Sequence, residues 1–362
     1  MNHKTFTMFL AMVCAVASAH AQTYEETRVV ARTYKTAPSV LVDISNKYGM
    51  VEVVTWDNDS VKIEVTCRIA EKSEERFRKL KANIDFSFMA LPNHVSAQTV
   101  LGDKHSTLVQ NVKEVTNFLS ASDTRSRIDY KVFVPLSANV KVSNKYGDVV
   151  LPSLTGSVAI DLSNGNLQAR DIEGKASLNL AFGSAQFKKL RYAKVSLNFV
   201  DFSCPYLSDL EMDSKSSKID LGQASNVQFT SRRDQIQIMD VSSIKGEAYF
   251  SRLALNLATG NCDLKLTYGE LTELTLGANF KQCNIVSQTC DVNLSLAKNS
   301  NIGAMVKATR TKSAFPADWK PQTSNHLKVM ETTPVRFISG KAQPNNQLNI
   351  NISDAELKID QQ

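Results

Sequence analysis

The sequence predicts an all-β protein built as a single-stranded β-solenoid, a stack of coils of about 18 residues each. Three observations carry that expectation. The pentapeptide SNKYG occurs twice, at Ser45–Gly49 and Ser143–Gly147, in the similar frames VDISNKYGMVEVV and KVSNKYGDVVLP. Apolar and polar residues alternate with the two-residue period of a strand. Glycine-centred turns recur along the chain with the same flanking pattern.

That pattern is checkable position by position. Two residues after Gly49, Gly147, Gly165, Gly183 and Gly269 stand Val51, Val149, Leu167, Ala185 and Leu271, and five residues before stand Ile44, Val142, Ile160, Leu178 and Leu264. Four residues before, on the opposite face, stand Ser45, Ser143, Asp161, Asn179 and Lys265. Further turns are expected at Phe202, Ser217, Asp234, Ser251 and Cys290, and a last one at Ala355 inside LNINISDAELKID. A strand–turn–strand unit of this size cannot bury its apolar face alone, whereas stacked units can. An antiparallel sandwich also has short alternating strands, but it does not require equivalence between units.

Taken in order, residues 1–21 have the form of a signal peptide: Lys4, an apolar run from Phe6 to Ala17, and the small-x-small site Ala19-His20-Ala21. Cys14 lies inside the apolar run after Val13, a poor lipoprotein site. Residues 22–66 are read as an N-terminal segment and first coil, and 67–138 as an insertion. That insertion carries a helix at about 74–84, with Ser73 as its cap, Glu74 and Glu75 in its first turn, and Phe77, Leu80 and Ile84 on one face. Residues 139–300 hold the coils, 301–346 (with Pro316, Pro321, Pro334 and Pro344) read as irregular cover, and 347–362 form a final coil. No other stretch approaches the length of a membrane span.

Without residues 1–21 the chain keeps 41 basic and 36 acidic residues, a net charge of +5, with both signs interspersed. No run of clustered Lys and Arg suggests a nucleic-acid groove. Five cysteines remain, Cys67, Cys204, Cys262, Cys283 and Cys290, so at least one thiol is left over in an oxidising compartment. Cys262 and Cys283 each lie seven residues before a turn, at Gly269 and Cys290. Adjacent strands lie about 4.8 Å apart, within the reach of a disulfide. Either a bond or two reduced, buried thiols satisfies that placement.

The exported start, the recurring turns NKYGDVV, LTYGEL and NKYGMVE, and the stacked short strands resemble the DUF4097-type candidate-adhesin family, common in Bacteroidetes-like bacteria. The resemblance spans nearly the whole chain after residue 21 and rests on a structural turn. It implies a right-handed β-helix-like fold and an envelope location, periplasmic or at the surface of a Gram-negative cell. It brings no catalytic residues. The insertion after the first coil and the degenerate turns between 202 and 251 depart from the family's simplest members.

Chemistry-bearing residues are sparse. His94, His105 and His326 have no partner at metal-ligand spacing, although Asp103 to Thr107 forms a small polar group around His105. No catalytic or nucleotide-binding motif is present, so no cofactor or metal is expected. The strongest binding candidate is the stretch SRRD, Ser231 to Asp234, whose Arg232 and Arg233 have Lys215 and Lys218 one coil before and Arg252 one coil after, suited to an acidic glycan; a solvated turn with satisfied charge pairs is the alternative. Tyr48, Tyr146, Phe182 and Tyr268 precede turn glycines and are expected to pack over them, the glycines supplying a conformation that larger residues resist. The leading expectation is a non-enzymatic binding, adhesion-like or scaffold protein of the envelope. A polysaccharide-active enzyme and an envelope-stress sensor coupled to a sigma/anti-sigma pair stand as alternatives.

Overall fold

Strict alternation lets the strands of the central repeats bury one face and wet the other, and there the chain pairs its backbone with its own next repeat. The computed structural model describes residues 23–102, 126–298, 301–322, 326–339 and 344–361. The signal-like segment and the Asp103–Thr107 group with His105 lie outside them.

Among the described residues the protein is all-β with two helices. The N-terminal part comprises β1 (Tyr24–Lys35), β2 (Leu41–Lys47), β3 (Val51–Thr55), β4 (Ser60–Glu71), α1 (Glu74–Asn83), β5 (Ile84–Leu91), β6 (His94–Leu101) and β7 (Arg127–Val134). The central part comprises β8 (Asn139–Lys145), β9 (Val149–Leu151), β10 (Val158–Ser163), β11 (Leu167–Lys215), β12 (Lys218–Arg232), β13 (Gln235–Tyr249), β14 (Arg252–Leu276) and β15 (Gln282–Leu296). The C-terminal part holds β16 (Ile302–Thr309), β17 (Lys312–Ala314), β18 (Lys320–Pro321), α2 (His326–Met330), β19 (Val335–Ser339), β20 (Asn346–Ser353) and β21 (Glu356–Gln361).

From β8 to β15 every pairing is parallel and joins equivalent positions of successive rungs. Ile160 lies beside Val142 on one side and Leu178 on the other, Ile219 beside Ile236, and Ile236 beside Leu253. The two SNKYG copies are direct neighbours, Ser45 against Ser143 through Lys47 against Lys145. All ten residues expected to point inward at the five glycine turns are buried. Their columns run the length of the stack and form one continuous hydrophobic core.

Rung corners are marked by a residue with positive φ: Tyr146, Asn164, Phe182, Phe199, Ser216, Arg233, Phe250, Tyr268 and Thr289, at steps of 18, 18, 17, 17, 17, 17, 18 and 21 residues. The turn expected at Phe202 is therefore at Val200, two residues earlier. Phe202 is a core residue there, 1% exposed. The 21-residue step is one long rung whose register shifts between Leu271 and Leu274. Phe280, 1% exposed, lies in the turn that its amide closes on Gly277 O at 3.1 Å.

Antiparallel pairs close the N-terminal part: β1 with β4, β4 with β7, and β5 with β6. The Ser73 side chain accepts a hydrogen bond from the Arg76 amide and starts α1 as the cap pattern requires. Leu80 and Ile84 are buried, and Phe77 packs against the core. Residues 301–346 are more regular than their prolines suggest. β16 inserts its apolar alternation Ile302, Ala304, Val306 and Ala308 beside β20 in parallel and beside β19 in antiparallel. The last repeat is in register with β15 through Cys283–Leu348 and Val292–Leu357.

Candidate functional site: a basic corner and an adjoining groove

The glycines do not adopt the strained conformation. It falls on the residue before them: φ is 63° at Tyr48, 56° at Tyr146, 57° at Asn164, 58° at Phe182 and 51° at Tyr268. A left-handed backbone costs an L-residue roughly 1–2 kcal/mol. Bonds to the next rung hold it in place, from Tyr48 N to Lys145 O at 2.9 Å and from Tyr146 N to Ser163 O at 3.0 Å. Glycine follows because the corner brings backbone against backbone. A Cβ on Gly147 would stand 2.0 Å from Gly49 O, and one on Gly183 2.0 Å from Gly165 O.

The aromatics stack on one another along the corner, Tyr48 on Tyr146 with centroids 5.2 Å apart, Phe182 on Phe199 at 5.4 Å, and Phe250 on Tyr268 at 4.9 Å. Inside the SNKYG corners, Asn144 donates to both Gly49 O and Gly147 O at 2.9 Å. Asn46 donates to Ile128 O at 2.8 Å. Each letter of SNKYG that points inward is thus engaged in joining rungs. Its outward lysines, Lys47 and Lys145, are neighbours. Partial burial and the charge of Lys145 lower the Lys47 pKa, and the Lys47 ammonium lies 5.5 Å from the Tyr48 ring centre.

A second corner design replaces glycine in the 17-residue rungs. Ser217 Oγ accepts from Val200 N at 3.1 Å, and Ser251 Oγ from Asp234 N at 3.1 Å. Asp234 is 2% exposed. Its carboxylate accepts from Ser217 N at 2.7 Å, Ser214 Oγ and Ser231 Oγ at 2.6 Å, and Arg232 N at 3.0 Å. The acidic residue of SRRD is therefore part of the corner, and it fixes the backbone from which the two arginines project.

All five candidate cations are exposed. Lys215 and Arg232 are register partners on adjacent rungs. Lys218 and Arg252 each flank Gln235 across the corner. Arg233 occupies the corner itself, φ 60°. Arg252 is held by Glu270 at 2.9 Å. Lys215, Lys218, Arg232 and Arg233 form no ion pair among the described residues, although Asp201 is the register partner of Lys218. A shallow hollow of about 390 Å³ opens between Arg233, Gln235, Phe250 and Arg252. The corner column thus reads Phe182, Phe199, Ser216, Arg233, Phe250, Tyr268: two stacked aromatic pairs with a polar, cationic gap between them.

On the same strands, just before the corner, lies a concavity of about 770 Å³, crossing six rungs from Lys141–Ser143 to Gln228–Thr230. Sequence reading marked its outward column only as polar. The groove comes from small side chains recurring at equivalent positions, which carry no motif.

The remaining candidates do not assemble a reactive centre. Cys262 and Cys283 are register partners, as their spacing requires. Both are buried, free thiols, as are Cys67, Cys204 and Cys290. Side chains in parallel register point alongside one another, which places two sulfurs together without turning them into a bond. Hydrogen bonding with Cys262, and then burial, raise the Cys283 pKa. Burial pushes the Cys67, Cys204 and Cys290 thiols up to about 11, which keeps them protonated and unreactive near neutral pH. His94 Nε2 is buried without a partner. His326 begins α2 and meets the Phe337 ring edge-on. No group of three His, Cys, Asp or Glu residues suited to a metal occurs among the described residues.

No family model matches the chain, and no curated protein does. Among solved structures, it is similar to a candidate cell adhesion protein from Clostridium sporogenes, 9% identical over 94% of this chain and 100% of that one, TM-score 0.20. It is also similar to a candidate adhesin from Bacteroides fragilis, 10% identical over 92% and 97% of the two chains, TM-score 0.27. Both superpose too loosely to bear on function.

Proposed function

We propose that this chain is an exported, non-enzymatic right-handed β-solenoid of the bacterial cell envelope that binds acidic glycans through Lys215, Lys218, Arg232, Arg233 and Arg252. One observation carries the reading: five exposed cations gather on three rungs of one corner, and four of them lack a counter-ion among the described residues. Some outward lysines elsewhere on the stack meet acids one rung away, as Lys141 meets Asp43 and Lys265 meets Glu247. Like charges held together on a rigid backbone favour an anionic ligand that neutralises them. The flanking Phe199 and Phe250 add exposed ring surface of the kind on which sugar rings pack. Export rests on the form of residues 1–21, and no helix among the described residues is long and apolar enough to cross a membrane.

An array of neutral and acidic glycans tests the proposal. Carboxylated glycans are expected to bind at low salt and to be released as ionic strength shortens the screening length to about 3 Å at 1 M. Arg233→Ser is expected to reduce that signal without lowering the melting temperature. Binding confined to neutral glycans, or none at all, overturns the reading.

A further inference from the structure

We infer that the groove beside the basic corner is an extended subsite for a polysaccharide chain whose acidic sugars are spaced apart by neutral ones. The inference rests on the acidic-glycan reading of the corner and adds the form of the ligand. The groove follows the stacking direction across six rungs. At about 4.8 Å per rung it extends roughly 24 Å, which suits a linear polymer better than a single sugar. Its last rungs adjoin the cations, since Asp213 precedes Lys215 by two residues and Thr230 precedes Arg232 by two, each pair on one strand face.

The lining decides the class of polymer. Ala159, Ser177 and Ser196 keep the groove open, while Asp161, Asn179 and Asp213 offer hydrogen-bonding groups at whole-rung spacing. Lys141 is tied to Asp43 at 2.9 Å and Lys194 to Glu211 at 2.7 Å. The charges left over are carboxylates: Asp161, which accepts from Asn179 at 3.1 Å, and Asp213, which forms no ion pair among the described residues. A polymer charged at every residue is repelled there, whereas hydroxyl groups find acceptors and donors. An extended peptide finds no place by strand addition, because the strands on this face are paired with neighbours on both sides. Nucleic acid would need bases stacked on aromatic rings and a basic track, whereas the lining's aromatic, Phe229, is 3% exposed and its lysines are paired with acids.

The test compares hyaluronan, in which uronates alternate with neutral sugars, with its disaccharide and with polygalacturonate, charged at every sugar. Long hyaluronan is expected to bind at least about tenfold more tightly than the disaccharide. Ser177→Trp and Ser196→Trp, made separately and checked by thermal melting, are expected to remove that gain and leave disaccharide binding unchanged. Both positions are exposed, so the indole projects into the groove. Polygalacturonate is expected to bind no more tightly than the disaccharide. Equal affinity of long and short hyaluronan, unaltered length dependence in both tryptophan variants, or preference for polygalacturonate overturns the groove and leaves the basic corner standing. Absence of binding by every probe overturns the corner and the groove with it.

Discussion

Leu264→Asp is expected to abolish cooperative folding. Leu264 is 1% exposed, and its register partners are Gly246 and Ile285 on the adjoining rungs. The Phe229 ring occupies the space beside Gly246 where a side chain would stand, so the column is packed with apolar groups that cannot solvate or pair a carboxylate. Removing the leucine forfeits about 1.5–3 kcal/mol of burial, and desolvating an unpaired carboxylate adds several more. The sum rivals the roughly 5–15 kcal/mol that holds a typical domain together. Lys265→Asp, one residue on, faces outward and loses an exposed ion pair with Glu247. A change of about 0.5 kcal/mol is expected there. Urea titration and limited proteolysis of the two variants separate the cases. Soluble, protease-resistant Leu264→Asp protein would mean that inside and outside are reversed.

Gly147→Ala is expected to cost about 3–5 kcal/mol, at the far end of single-substitution effects. The added Cβ meets Gly49 O at 2.0 Å and Gly49 C at 2.5 Å. Both are backbone atoms, so relief requires one rung to shift against the other. Asn144 bonds both glycine carbonyls at 2.9 Å and opposes that shift. Tyr146→Asn is the contrasting variant. Asn164 already occupies the equivalent corner with φ 57°, so asparagine is accommodated and only the stack on Tyr48 is lost, about 0.5–1.5 kcal/mol. Melting curves that rank Tyr146→Asn as the more damaging would mean that Gly147 is not pressed against Gly49 and that the aromatic stack holds the corner.

How far the fold could be read from the sequence depends on where the partner of each residue lies. The inward columns were legible because a strand's period is local: Ile44, Val142, Ile160 and Leu178 declare their face within a few residues. The helix was legible for the same reason, its cap and first-turn acids being neighbours in the chain. Corner identity was not local. At Val200, where glycine stands in other rungs, the amide is received by Ser217, a full rung on, so no local signal separates this corner from Phe202. The glycines themselves were found, but their reason was misread. Turn propensity suggests positive φ, whereas the demand comes from a carbonyl in the previous rung. β16 was passed over because its pairing partners are β19 and β20, 33 and 44 residues on, outside the repeat of about 18.

The candidate site divides in the same manner. The five cations were visible because SRRD is a dense local cluster and aligned rungs place Lys215, Lys218 and Arg252 around it. Asp234 follows the two arginines directly in the chain. Only the structure reveals it as a buried corner acceptor, which leaves the arginines without the counter-ion that sequence proximity suggests. The groove needed six rungs in register before its short side chains summed to a cavity.

The central claim is that SNKYG joins rungs while binding resides at the basic corner. Titration of hyaluronan into two double variants, Arg232→Ser with Arg233→Ser and Lys47→Ser with Lys145→Ser, tests it most directly. Each removes two exposed or partly exposed cations from adjacent positions, so net charge is matched. The arginine variant is expected to lose at least about tenfold in affinity, 1.4 kcal/mol, with an unchanged melting temperature, and the lysine variant to bind as the unmodified protein does. Loss of binding in the lysine variant with full binding in the arginine variant would contradict the account and return the repeated pentapeptide to the role of a binding site.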